Sequence, residues 1–156
     1  MSERLDNAIK FAVDIHHGQF DKGGNPYILH PLKLFHWAKQ AGYDEDVQIV
    51  ALLHDTVEDG AKDWDDRHRM MNQIQEMFGD YVAEMVDNLT KRRGESYDEY
   101  LKRVCLRSDS IRVKLLDLRH NSDIRRMKGI TEKDFRRTQN YQRAYDKLNK
   151  RLIEMI

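Results

Sequence analysis

The chain has 156 residues, 40% of them hydrophobic and 35% charged, and its 27 Lys and Arg balance 27 Asp and Glu. That size suits one domain with a continuous core, and zero net charge leaves no global excess to attract nucleic acid or an anionic membrane. Cys105 is the only cysteine, which excludes an intramolecular disulfide and a thiolate zinc site and fits a reducing cytoplasm. The longest apolar runs, such as Ile49 to Leu53, are too short to span a bilayer, and Glu3 and Arg4 interrupt any signal-peptide pattern. The expectation is a cytoplasmic protein with no membrane partner.

Apolar residues recur at helical spacing throughout, and no stretch alternates with period two, so the fold class expected is all-α. A first helix starts near Ser2 without a full capping box, carries Leu5, Ala8, Phe11, Ala12 and Ile15 on one stripe, and ends by Gly18. Residues 20 to 27 hold Asp21, Gly23, Gly24, Asn25 and Pro26, which is turn chemistry. They deliver the chain into a second helix beginning around His30 with Pro31 at its first position. A third helix runs from Asp44 or Asp46 to Glu58 or Asp59, where Gly60 stops it. A fourth covers Asp65 to Phe78, with Met70, Met71, Ile74 and Met77 as core filler, and Gly79 closes it.

Asp80 then caps a helix over Tyr81 to Thr90, and Lys91 to Ser96 form a polar loop before the next helix, Tyr97 to Leu106. Ser108 or Asp109 caps a helix that places Lys114, Asp117 and Asn121 at i, i+3 and i+7 along one stripe. The last helix starts at Thr131 and carries Tyr141, Tyr145, Leu148, Leu152 and Ile156 at near-heptad spacing. Such a seam packs on its own domain or pairs two copies, so a monomer or a homodimer is expected. His36 and His68 read as surface residues, and His16 with Gln19 as a structural hydrogen-bonding pair.

The chemistry concentrates between Ala51 and Asp59. His54 and Asp55 end an apolar helix, and one turn later come Glu58 and Asp59, so that four polar groups cluster at one end. Carboxylates at a helix C-terminus oppose the macrodipole and call for a compensating positive charge, which a cation supplies. The alternative is a solvated terminus with Glu58 and Asp59 in water. Asp117 lies between Leu116 and Leu118, where an unpaired carboxylate is costly; Arg112 or Arg119 could instead pair with it. Together with His30, these residues make a mixed nitrogen and oxygen donor set suited to Mn²⁺, Fe²⁺ or Zn²⁺.

The ordered motifs are more specific than any of their parts. They are His16 to Gln19, Lys22-x-Gly24-x-Pro26-Tyr27-Ile28-x-His30-Pro31, the run from Ala51 through His54 and Asp55 to Glu58 and Asp59, Phe78-Gly79, and Lys114 to Asn121 through Asp117 and His120. In this order the chain resembles the hydrolase domain of the Rel/SpoT family and its stand-alone relatives, the small alarmone hydrolases of the HD superfamily. The likeness covers roughly residues 5 to 128, with a C-terminal helix over about 131 to 155, and it implies a single HD-type helical bundle over residues 1 to 156. It further implies bound Mn²⁺ and removal of the 3′-pyrophosphate from guanosine tetra- or pentaphosphate. By that resemblance His30, His54, Asp55 and Asp117 match metal ligands and Glu58 and Asp59 a catalytic acidic pair. Asn121 matches a nucleotide-contacting position, and Lys22, Tyr27 and Lys114 join it as expected substrate contacts, the two lysines offsetting phosphate charge.

Three positions depart from the family's pattern. Asp21 stands where an arginine that resembles a base clamp is common, removing a guanidinium and adding negative charge. Arg119 is displaced by one residue from the family's usual arginine, and Ile124 replaces a small polar residue. The partner expected is therefore a small nucleotide, with no nucleic acid, but a different nucleotide phosphate is the alternative, such as a phosphomonoester or the 2′-phosphate of NADPH. A nucleotide-binding module without turnover is a third reading, against which an intact Glu58 and Asp59 argue. No synthetase domain is expected alongside the hydrolase domain.

Overall fold

The computed structural model describes residues 1–156 as nine α-helices and one 3-10 turn, with a single isolated bridge between Phe20 and Pro26. The helices are α1 (Glu3–His16), α2 (Leu29–Gln40), α3 (Glu45–Leu53), α4 (Thr56–Gly60), α5 (Trp64–Phe78), α6 (Asp80–Leu89), α7 (Tyr97–Val104), α8 (Ser108–Asn121) and α9 (Glu132–Met155). No helix is long and apolar enough to cross a membrane.

Local signals start most of these helices. Ser2, Asp44, Asp63, Ser96 and Thr131 accept a hydrogen bond from a backbone N–H one turn inside their helices, and Ser96 and Thr131 complete reciprocal capping boxes with Glu99 and Asp134. Gly79, at φ 94°, both ends α5 and starts α6, a conformation a side chain would strain.

The core centres on α3, whose Ile49, Ala51, Leu52 and Leu53 are fully buried because the helix is enclosed by α1, α2, α6 and α8. A helix apolar around its circumference is stable only in such a position. α9 lies along α8, with Ala144 and Leu148 buried and Tyr141, Tyr145 and Leu152 packed on the same cluster. The near-heptad seam thus covers this chain's own core, while Ile156 at its end is exposed.

Several boundaries differ from expectation. α2 begins at Leu29, so Pro31 is its third residue; proline fits anywhere in a first turn, where the N–H has no helical partner. Asp80 and Ser108 are first residues of their helices, and the capping positions fall to Gly79 and Arg107. Met70 is buried and Met71 partly so, but Met77 faces solvent.

The largest correction concerns the third helix, which breaks at His54 and Asp55 into α3 and α4. Thr56 Oγ1 donates to the Leu53 carbonyl at 2.7 Å, satisfying an acceptor that the break releases. Glu58 and Asp59 consequently occupy the short α4 rather than the end of a long helix, and the macrodipole no longer accounts for a cation there. The positive charge is required by the neighbouring carboxylates instead.

Candidate functional site

Three elements converge on one buried spot. His30 comes from the first turn of α2, His54 and Asp55 from the break between α3 and α4, and Asp117 from α8. One donor atom from each of the four lies within 4.8 Å of the others. His30, His54 and Asp117 are at most 4% exposed, so bulk solvent does not reach them.

His54 shows most clearly what the cluster needs. Its Nδ1 is 2.8 Å from the Ala51 carbonyl, which can only accept, so the ring proton sits on Nδ1 and Nε2 presents a lone pair. Nε2 is buried without a hydrogen-bond partner, yet Asp55 Oδ2 lies 2.9 Å and Asp117 Oδ1 3.5 Å away. A nitrogen facing two carboxylates needs a positive charge between them, supplied by a proton on Nε2 or by a metal cation in its place. Burial pulls the imidazole toward neutrality, but Asp55 and Asp117 outweigh it and raise its proton affinity well above the ordinary value.

His30 faces the same point. Its Nε2 is 2.9 Å from Asp117 Oδ1 and 3.7 Å from Asp55 Oδ2. Ligand bonds of about 2.1 Å place neighbouring donors about 3 Å apart around a small divalent ion, and these separations match. The donor set fits a borderline or hard cation.

The surrounding residues fix the donors. His30 Nδ1 lies 2.6 Å from His120 Nδ1, and the two rings stack at 4.9 Å between centroids. Burial, Arg126 and His30 lower His120 to about 3, so its ring is neutral and can accept the His30 Nδ1 proton when His30 Nε2 faces a cation. Lys114 Nζ donates to Asp117 Oδ2 at 2.7 Å and Asn121 Nδ2 to Oδ1 at 2.9 Å. Burial opposes ionisation of Asp117, but Lys114 and the two histidines hold its proton affinity well below the usual range. Tyr27 donates its hydroxyl to Asp55 Oδ2, and burial followed by that carboxylate's charge raises the phenol's pKa.

Glu58 and Asp59 form an exposed rim. Glu58 Oε1 accepts from the Lys91 amide at 2.8 Å, which brings the polar loop after α6 to the site. Burial of their protein side and the charge of Asp55 raise both carboxyls, Asp59 to about 7 with help from Glu58. Beneath them Gln19 Oε1 accepts from His16 Nδ1 at 2.8 Å and Gln19 Nε2 donates to the Asp59 carbonyl at 3.3 Å, the structural pairing expected of it.

A cavity of about 230 Å³ opens beside this cluster, lined among others by Phe20, Lys22, Tyr27, Asn121, Arg126 and Tyr141. Tyr27 and Asn121 join the two regions, since each also bonds a carboxylate of the donor cluster. Lys22 is exposed at the cavity, whereas Lys114 is turned inward against Asp117 and the Tyr100 ring. Sequence reading did not single out His120, Arg126 or Arg137 for the site. Only His120 carried a usable signal, at one helical turn from Asp117. Arg119 lies outside, 3.9 Å over the Trp37 ring, and His36 and His68 are exposed as expected.

Buried histidines and aspartates on a helical scaffold, held by their neighbours around one point, define a metal-binding helical domain. The HD domain family matches residues 8–152, and the chain belongs to that family. It is 34% identical over 127 residues to the guanosine-3′,5′-bis(diphosphate) 3′-pyrophosphohydrolase of Aquifex aeolicus, covering 78% of this chain and 17% of that protein. It is 32% identical over 134 residues to the Haemophilus influenzae protein of the same name, covering 81% and 19%. The chain thus spans less than a fifth of these relatives' length. Among solved structures, a metazoan SpoT ortholog described as hydrolysing ppGpp superposes with a TM-score of 0.74 at 22% identity, covering 97% of this chain and 86% of that one. That likeness establishes the shared fold.

Proposed function

We propose that this chain is a Mn²⁺-dependent phosphohydrolase that removes the 3′-pyrophosphate from guanosine tetra- or pentaphosphate. The observation that carries the reading is His54 Nε2 buried against Asp55 and Asp117, beside a cavity lined by Lys22, Arg126, Arg137 and two tyrosines in a chain whose relatives bear that name.

His30, His54, Asp55 and Asp117 hold the ion. When bound, it supplies Lewis acidity, polarising a phosphoryl oxygen and easing deprotonation of a nearby water. Glu58 orients and deprotonates the attacking water, and Asp59 beside it serves as the second proton-handling carboxylate. The water oxygen adds to the phosphorus next to the ribose 3′-oxygen, the bond between that phosphorus and that oxygen breaks, and the 3′-oxygen takes up a proton. Guanosine diphosphate or triphosphate and pyrophosphate leave. Tyr27 orients Asp55 and flanks the nucleotide, Asn121 contacts the nucleotide from the other side, and Lys22 offsets phosphate charge. Lys114 serves the site through Asp117.

Residues 1–156 are read as one HD-type domain, acting in the cytoplasm on a small nucleotide, without nucleic acid, as a monomer or homodimer. Product analysis tests the reading. Metal-free and Mn²⁺-loaded protein are incubated with guanosine tetraphosphate, with Asp55→Ala as control. Pyrophosphate and guanosine diphosphate released only by the loaded wild type support it; no release from protein shown to bind Mn²⁺ rejects that substrate.

A further inference from the structure

We infer that Arg126 is the base-selecting guanidinium of the cavity and that Asp21 positions it there, an inference that rests on the nucleotide reading above. Asp21 removes a guanidinium from the loop before α2, but the structure returns one from a residue 105 positions away.

The two residues are fastened from several sides. Asp21 Oδ1 accepts from the Asn25 amide at 2.9 Å, which shapes the loop, and Oδ2 lies 3.5 Å from Arg126 Nη2. Their side chains are only 13% and 19% exposed, so the pair is screened less than a surface ion pair. Arg126 Nη1 also donates to the His120 carbonyl at 3.0 Å and to Asn121 Oδ1 at 3.1 Å. The backbones meet as well: a Cβ on Gly23 would stand 2.0 Å from the Arg126 carbonyl oxygen, a contact only glycine permits. Asp123 starts the 3-10 turn that carries Arg126, accepting from the Arg125 amide at 3.0 Å.

Donor accounting then indicates what Arg126 can do. A guanidinium has five N–H groups, and the bonds to Asp21, His120 and Asn121 engage three of them. The remaining N–H groups, including that on Nε, have no protein acceptor, and Arg126 lines the cavity. Two free donors on one planar group suit a ligand edge with two acceptors. Guanine and hypoxanthine present O6 and N7 as such an edge, while adenine replaces O6 with an amino donor. The ligand class selected is therefore a 6-oxopurine nucleotide. Asn121 ties this selection to the donor cluster, because its oxygen faces Arg126 and its nitrogen faces Asp117.

The test is binding of guanosine, inosine and adenosine 5′-diphosphates by calorimetry, with and without Mn²⁺. Wild type is expected to bind the first two about tenfold more tightly than the third, the scale of one bidentate base contact. Arg126→Ala abolishes the preference, Arg126→Lys retains affinity without preference because it lacks the planar fork, and Asp21→Asn weakens the preference. The double variant Asp21→Arg with Arg126→Asp restores it. Equal binding of all three by wild type, or an undiminished preference in Arg126→Ala with a wild-type circular dichroism spectrum, overturns the inference. Should Arg126→Ala fail to fold, Asp21→Asn decides: an unchanged preference there overturns it equally. None of these readouts uses turnover. A protein that prefers guanosine diphosphate but leaves guanosine tetraphosphate intact contradicts only the proposed reaction, whereas turnover without base preference contradicts only the role of Arg126.

Discussion

His30 and His120 stack with their Nδ1 atoms 2.6 Å apart, so a proton shared along that line decides which nitrogen of His30 is free. Only with the proton on His30 Nδ1 does Nε2 offer its lone pair to the ion. Partners of this kind typically contribute 10- to 100-fold in metal affinity. His120→Ala should therefore weaken Mn²⁺ binding by about tenfold or more, with His120→Asn, which keeps an acceptor, recovering part of the loss. Calorimetric titration checks this, and unchanged affinity in His120→Ala would show that His30 needs no such partner.

Lys114, only partly exposed, pairs with the buried Asp117 at 2.7 Å, and Asp117 is 4% exposed. Removing one partner from a buried pair leaves the other charge uncompensated, at a cost of about 3 kcal/mol or more. Lys114→Met should lower the urea midpoint of the metal-free protein accordingly, and saturating Mn²⁺ should return part of the loss by supplying another positive neighbour for Asp117. An unfolding free energy within about 0.5 kcal/mol of wild type would mean that Asn121 and His30 suffice.

Asp59 gives the metal-free protein a signature in pH. Burial of its protein side, then Asp55 and Glu58, raise its carboxyl from 3.8 to about 7. Between about pH 4 and 7 the folded chain keeps a proton that the unfolded chain has lost, so this group's contribution to stability falls as pH rises. His16, lowered by burial, acts in the opposite direction: below its unfolded value the unfolded chain binds more protons, and stability rises with pH. The exposed side chain of Asp59 is screened by solvent, which limits the size of the effect. Asp59→Asn isolates it. The variant's advantage in melting temperature should grow from pH 4 to 7 and level off above, and an advantage independent of pH would contradict the assigned shift.

Leu148 is fully buried where α9 meets the core beside Ala144. Leu148→Ala should cost about 2 to 5 kcal/mol, read from urea unfolding. A loss below 1 kcal/mol would mean that α9 is an appendage to the domain rather than part of its core.

Most helices were legible because their signals are local. Ser2, Asp44 and Thr131 begin helices for reasons contained within four residues, and the stripe of α1 is visible in its spacing. The break at His54 and Asp55 was not legible, since the apolar pattern continues through it and the released Leu53 carbonyl is satisfied by Thr56 within a tightly packed corner. The inward turn of Lys114 had a trace, its i, i+3 relation to Asp117. The approach of Arg126 to Asp21 had none, because it depends on how the turn after α8 returns to the loop before α2. That His30, His54, Asp55 and Asp117 come together was legible through the order of their motifs; spacing alone could not place His30 against residues 54, 55 and 117.

His30, His54, Asp55 and Asp117 are proposed above to hold a single ion. Electron paramagnetic resonance of Mn²⁺ during titration into metal-free protein tests it most directly, because the free-ion signal disappears as the ion is bound. One tightly bound Mn²⁺ per chain is expected, lost in both His54→Ala and Asp117→Ala although each variant keeps its helical circular dichroism. Undiminished binding in those folded variants, or none in the wild type, would contradict it.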